Sequence, residues 1–376
     1  MLPTADERSN TCEEISNRLL RSVLLGRLSN RAFRIFPVDP RGRLNNTRMA
    51  QRGAIFLAIV SYFLGTPVAA TGVIVSAVKY SPGGLQAQQQ SDAQPREDET
   101  TTALMERVGQ PAEDDITTFK KAGMQDVTPH ILTDEERMAV EAALASLPSL
   151  NKQVLQQNLN KLAFVDGIPG EGTGLTSPSA RKGLSNITLR ASVINESLTT
   201  FLTNKERRVY KPDGSGLTIS VTGTGTNALR YVLLHESTHV VDVSCGVTTN
   251  PRSKFVQGIW TGHSTLAPSI AAITPKTYFR GADHLPIAKA SDVYDALAQT
   301  PFVSLYATAS RQEDLAELVT WHQIYTQDGG DLIIGLKDAR GKTIEEWHPL
   351  RFPRARERFA DVEKLLESPL SCGNPT

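Results

Sequence analysis

The chain has 376 residues with 40 basic and 40 acidic side chains, so it carries no formal net charge and its pI is near neutrality. That balance leaves no basic footprint for nucleic acid, and none is expected as a partner. A hydrophobic content of 40% separates the chain from disordered sequences and is enough for one sizeable core.

In chain order, residues 1–53 form an arginine-rich front with no lysine. They read either as a tail or as an over-extended start, with Met49 as the true beginning. Residues 54–78 then run for 25 positions without a charge, long enough to cross a bilayer. Two readings stay open. As an anchor, the segment leaves its arginine-rich side in the cytoplasm and holds the protein on the membrane. As a signal peptide, Met49–Arg52 is the charged start, residues 54–65 the apolar core, and Val68-Ala69-Ala70 supplies the small residues for cleavage. Either way the rest of the chain is extracytoplasmic.

Residues 79–130 are polar and partly acidic, and they predict a mobile linker with at most a short helix. The globular domain is expected over 131–376. Thr133-Asp-Glu-Glu136 spells a capping box at the start of an amphipathic helix. Residues 160–165, 186–194 and 217–221 have strand composition, with a helix near 196–208 between the last two. Helices follow near 289–299, 311–325 and 354–366. The pattern predicts an α+β fold: a small twisted sheet with helices in one lobe, then a mainly helical second lobe. No internal repeat is present.

The chemistry concentrates at His235-Glu236-Ser237-Thr238-His239. Thr226–Val243 contains no proline or glycine; Asn227 or Thr226 can cap its start, and Gly246 follows its end. Leu229, Val232, Leu233 and Val240 give it an apolar stripe at helical spacing. Histidines four apart on a helix project from one face, so both imidazoles can grip one zinc, with Glu236 beside them as a base. In a plain core helix, a glutamate between the two histidines would be costly without a metal or partner to use it.

Two histidines leave a catalytic zinc one protein ligand short. The segment Ser310–His322 predicts a second helix with Ser310 as N-cap, in which Glu313 and Glu317 lie one turn apart on the same face. That spacing suits a division of labour: Glu313 binds the metal, and Glu317 holds the outer N–H of a ligand histidine. The competing assignment is a capping box, Ser310-x-x-Glu313, in which Glu313 only satisfies its own helix start.

The combination His235-Glu-x-x-His-x-Val-Asp242, then Tyr306, then Glu313-x-x-Ala-Glu317 resembles the gluzincin peptidases, and among them the catalytic domain of anthrax lethal factor and its relatives. The resemblance implies a zinc peptidase acting on a protein or peptide. It makes His235, His239 and Glu313 the ligands of one zinc per chain, Glu236 the general base and Glu317 the support of a histidine. Tyr306 would stabilise the transition state. About a dozen positions carry the likeness. The stretch from His239 to Glu313 is longer than usual in that family, which points to an insertion bearing on substrate preference.

One upstream strand, 186–194 or 217–221, is expected to bind extended substrate by edge pairing. Asp242 shares the face of the histidines and is read as holding a loop or a neighbour, not the metal. His263, His284, His322 and His348 are scattered singly and read as structural, with His263 or His284 able to lie near the cleft. Gly223-Thr-Gly225 is a tight turn, since it lacks the rest of a phosphate loop. Of three cysteines, Cys12 precedes the apolar segment, so export leaves Cys245 and Cys372 to pair in an oxidising space. The rival to an enzyme is a membrane-tethered scaffold that keeps the zinc fold but cleaves nothing; retention of Glu236 speaks against it.

Overall fold

The computed structural model describes residues 97–368. At 46% helix and 20% strand it belongs to the mixed α and β class. The tail 1–53, the apolar segment 54–78, residues 79–96 and Cys372 lie outside the described residues. Among those described, no helix is long and apolar enough to cross a membrane.

The stretch read as a linker is folded from residue 97 onward. It forms α1 (Glu97–Met105), β1 (Val108–Gly109), α2 (Glu113–Lys121) and β2 (Gln125–Pro129). The composition is polar, but Leu104, Met105, Ile116, Phe119, Met124 and Val127 are buried and Val108 is partly so. Three acids in the first turn of α2 and two lysines in its last turn complement the helix dipole. Arg107, just after α1, donates from Nη1 to the Leu155 carbonyl at 2.8 Å and so ties this segment to the next helix pair.

That pair is α3 (Asp134–Ala145) and α4 (Ser149–Asn158). The capping box opens α3: Glu136 N donates to Thr133 Oγ1 at 3.2 Å, and Thr133 N donates to Glu136 Oε2 at 2.9 Å. Strands β3 (Leu159–Ile168), β4 (Gly174–Pro178) and β5 (Ser185–Arg190) follow. The strand expected over 186–194 stops at Arg190, and Ala191–Ile194 turn into a short 3₁₀ helix. The main sheet runs β1-β3-β5-β4, with β2 also on β3. The β1–β3 and β3–β5 pairs are parallel, whereas β2 and β4 join antiparallel. Strand β4 is an edge, and its terminal Pro178 is tolerated there because an edge needs no donor on its open side.

Beyond the sheet lie α5 (Leu198–Arg207), β6 (Tyr210–Lys211), β7 (Thr218–Gly223) and α6 (Ala228–Cys245). Then come β8 (Leu285–Pro286), α7 (Ala290–Ala298), α8 (Arg311–Thr326), β9 (Leu332–Lys337), β10 (Thr343–Trp347) and α9 (Phe359–Leu366). The helix expected over 354–366 is interrupted at Arg358. The part of the chain after α6 also supplies strands to a second sheet, in which β7 pairs antiparallel with β9, and β9 with β10. Strands β6 and β8 form a short parallel pair.

Helix α6 is the axis of the molecule. It packs against α8, α4, α3 and β4, and it is buried on nearly every face rather than along one stripe. Asn227 caps it by accepting from Arg230 N at 2.9 Å. Gly246 ends it in the left-handed region, φ 65°, where a side chain would be strained. Asn151 of α4 donates to Ser237 Oγ at 2.9 Å and fixes the rotation of α6 about its own axis.

Candidate metal centre

Helices α6 and α8 bring three donors together. His235 Nε2 lies 3.0 Å from Glu313 Oε2, and His239 Nε2 lies 3.2 Å from His235 Nε2. The third edge, His239 Nε2 to Glu313 Oε2, is 3.6 Å. No other set of three His, Cys, Asp or Glu donors converges in this way among the described residues. Ser310 Oγ accepts from Glu313 N at 3.2 Å and so caps α8, but the Glu313 carboxylate points at the histidines rather than back at its own helix start.

Electrostatics follow from that geometry. Burial opposes charge on His235, yet the Glu313 and Glu317 carboxylates outweigh it and lift the imidazole to about 9. Burial likewise opposes charge on His239, and Glu313 overcomes it. Burial would raise Glu313, but the two histidines hold it well below the usual carboxylate range. A positive charge is therefore favoured at the centre of the trio, whether carried by a proton or by a metal ion.

Glu317 stands behind His235. Its Oε1 lies 3.4 Å from His235 Nδ1, which has no closer partner. The same oxygen accepts from Tyr231 Oη at 2.5 Å and Lys205 Nζ at 3.3 Å, while Oε2 accepts from Ser304 Oγ at 2.7 Å. The Glu317 side chain is 1% exposed and that of Glu313 23%, so Glu313 faces the cleft and Glu317 the interior. Burial pushes Glu317 up, but Lys205 and His235 prevail and keep it ionised.

Glu236 projects from the same turn of α6 onto the edge strand. Thr176 Oγ1 of β4 lies 2.8 Å from Glu236 Oε2 and 3.0 Å from the Glu236 carbonyl. Gly174 passes so close that a Cβ there would fall 2.4 Å from Glu236 Oε1. The strand beside Glu236 is thus β4. Of the two strands expected to pair with substrate, 186–194 lies inside the main sheet as β5 over its first part, whereas 217–221 falls in β7, an edge strand of the second sheet.

Tyr306 lies in a short 3₁₀ turn before α8, its ring 6.0 Å from that of His235. Lys205 Nζ sits 3.6 Å above its centroid, within cation–π range. Burial first, then the carboxylates of Glu313, Glu236 and Glu317, keep the phenol protonated and able to donate. Asp242 accepts from Thr248 N at 2.7 Å and from Thr248 Oγ1 at 2.6 Å, which ties the loop after α6 to the helix.

The scattered histidines do not join. His284 stacks on Tyr278 at 4.4 Å, His322 packs edge-on against Phe359, and His348 neighbours Glu346 and Asp331. His263 sits on the loop whose carbonyl accepts from Arg311 N at the start of α8. Gly225 lies in the turn before α6 at φ 84°, with no phosphate-loop character. Cys245 is disulfide-bonded, hence no metal ligand, and its expected partner Cys372 is outside the described residues.

Sequence reasoning missed Gly174, Thr176, Lys205, Tyr231 and Ser304. Gly174, Thr176 and Lys205 reach α6 or α8 from distant parts of the chain, while Tyr231 on α6 and Ser304 just before α8 gain their roles only by meeting Glu317, so none has a local signature. No family model, curated protein or solved structure matches this chain.

Proposed function

We propose that this chain is an extracytoplasmic, zincin-like endopeptidase of the gluzincin type that holds one zinc on His235, His239 and Glu313. The observation that carries the reading is the donor triangle with edges of 3.0, 3.2 and 3.6 Å. Tetrahedral zinc with N and O ligands separates its donors by roughly 3.3–3.5 Å, so these three side chains fit it. The orphaned His235 Nδ1 beside Glu317 supports the same reading, since a ligand histidine commonly gives its outer N–H to a carboxylate. Among the described residues three protein donors meet, the number typical of a catalytic site rather than a closed structural one.

A bound zinc would supply Lewis acidity to a scissile carbonyl and make water a better nucleophile near neutral pH. The rest falls to the protein. Glu236, steered by Thr176, accepts the proton of the attacking water and delivers it to the leaving nitrogen. Tyr306, kept as a phenol, donates toward the oxyanion. Glu317, braced by Tyr231, Ser304 and Lys205, orients His235. The open edge of β4 beside Glu236 offers backbone groups to an extended peptide. An inactive zinc scaffold would have no use for a base held against that edge by Thr176.

The test is metal analysis of the full chain with an unbiased peptide-library cleavage assay on native protein and Glu236→Gln. The expected result is about one zinc in each protein, with turnover in the variant lower by about 10²–10⁴-fold. Loss of zinc along with turnover, or undiminished turnover, would refute the role of Glu236.

A further inference from the structure

Beside Glu236 and His235 opens a cavity of about 200 Å³ that none of the metal chemistry requires. Its walls are mostly apolar: Phe119 from α2, Leu175 from β4, Phe201 from α5, Val232 from α6 and Phe279 from the segment between the ligand helices. Two cations line it, Lys205 and Arg208. Lys205 is already engaged, 3.3 Å from Glu317 and stacked on Tyr306.

Arg208 is not so engaged. Its guanidinium donates only to neutral carbonyls, Nη1 to Glu171 O at 2.7 Å and Nη2 to Gly170 O at 3.2 Å. It forms no ion pair among the described residues; Glu171, an acid on the same cavity wall whose charge acts on it, has its carboxylate hydrogen-bonded to the Tyr278 hydroxyl. A half-buried guanidinium facing a substrate-sized, largely apolar cavity is costly unless a carboxylate arrives to meet it. Arginine's planar fork suits such a carboxylate.

We propose that Arg208 is a specificity-determining residue of this cavity, selecting substrates that place a carboxylate there. The apolar walls would hold the aliphatic part of the group and Arg208 its charged end. This rests on the peptidase reading for its substrate, though not for its chemistry of recognition. The carboxylate has two sources, an acidic side chain near the scissile bond or the free end of a peptide chain.

The test uses the zinc-loaded full chain and peptide mixtures that differ at one fixed position, occupied in turn by Glu, Gln, Leu or Lys. Each mixture is made both as a free acid and as a C-terminal amide. Binding is read on Glu236→Gln by fluorescence anisotropy, and cleavage on the native protein. We expect the carboxylate form to be favoured about 10- to 100-fold, the range for a hydrogen bond between charged groups. Preference for Glu over Gln at one internal position identifies a side chain, whereas preference for acid over amide identifies a chain end.

Adding Arg208→Gln should bring that ratio close to one, Arg208→Lys should keep part of it, and Arg208→Glu should turn it toward Lys. Because Arg208 also holds the 170–171 carbonyls, damage to that loop would weaken all peptides alike and leave the ratio intact. A ratio near one in the native protein, or one unmoved by Arg208→Gln, overturns the proposal. Discriminating binding without cleavage by the native chain would instead refute the peptidase reading and leave Arg208 its role. Cleavage without discrimination would do the reverse.

Discussion

Asp314 and Glu317 sit one turn apart on α8, both buried, yet they are paired in different ways. Asp314 accepts from the two terminal nitrogens of Arg358, Nη1 and Nη2, at 2.7 and 2.9 Å and from Trp260 Nε1 at 3.0 Å. Every group in that cluster points inward, and it ties α8 to Arg358, just before α9, and to the segment after α6. Glu317 is as crowded, with Tyr231, Ser304 and Lys205, but its remaining neighbour is a histidine nitrogen left 3.4 Å away and otherwise unbonded. Both Asp314 oxygens are paired, although Arg358 Nε beside them has no partner; Glu317 instead lacks a bond on the side that opens, through His235, to the cleft. A satisfied buried carboxylate locks a fold, whereas one with an unfinished bond toward a cavity points to chemistry.

The contrast can be broken most severely at Asp314. Replacing it with Ala strands a buried guanidinium, and the expected loss is about 3–5 kcal/mol of stability, read by urea or thermal unfolding. A native-like midpoint would show that the cluster does not lock α8. On the other face, Glu313→Ala should strip most of the zinc, while Glu317→Ala should weaken zinc binding by about 10–100-fold with less harm to the fold. If competition with a chelator ranks the two carboxylates the other way, the division of labour between them is reversed.

Smaller effects test how Glu236 is held. Thr176→Val removes one hydrogen bond to Glu236 and should lower turnover about tenfold with zinc content unchanged. Equal turnover would mean that α6 alone aims the glutamate.

The smallest effect concerns Glu206, buried behind Lys205 with Tyr294 Oη 2.5 Å away. Burial raises this acid from 4.5 to about 7, against the pull of Tyr294 and Lys205. Below 4.5 it is protonated both folded and unfolded. Between 4.5 and about 7 only the unfolded chain releases the proton, so stability falls as pH rises through that window. Glu206→Gln should therefore gain on the native protein across that range and then level off. A stability difference flat in pH would place the titration elsewhere.

How much of this was legible beforehand depends on the distance over which each feature is encoded. The histidine helix was readable because cap, spacing and terminator are all local: Asn227, the i, i+4 histidines and Gly246. Glu313 was readable only as a choice, since Ser310-x-x-Glu spells a cap and a ligand alike, and the molecule uses the serine for one and the glutamate for the other. Strand β4 was invisible. Gly174-Leu-Thr-Ser-Pro178 has poor strand composition and no alternation, and it is extended only because β5 pairs with it. Helices α1 and α2 were lost in a polar composition in which Leu104, Met105, Ile116 and Phe119 turn inward. Lys205 and Arg208 gave no signal, for a basic pair near the end of a helix reads as solvated.

The pairing of β7 with β9 has a consequence for synthesis. Strand β7 precedes the histidine helix and β9 follows the helix that carries Glu313 and Glu317, so one antiparallel ladder closes the segment that holds every donor. As the chain leaves the ribosome amino end first, both histidines emerge long before Glu313, and Glu313 before the strand that seals them in. Such long-range closure is slow relative to forming the helices themselves. The metal trio is therefore a late product of folding. A nascent chain that stops short of Leu332 has all three donors but not the ladder that brackets them, and completion of the fold waits on that second sheet.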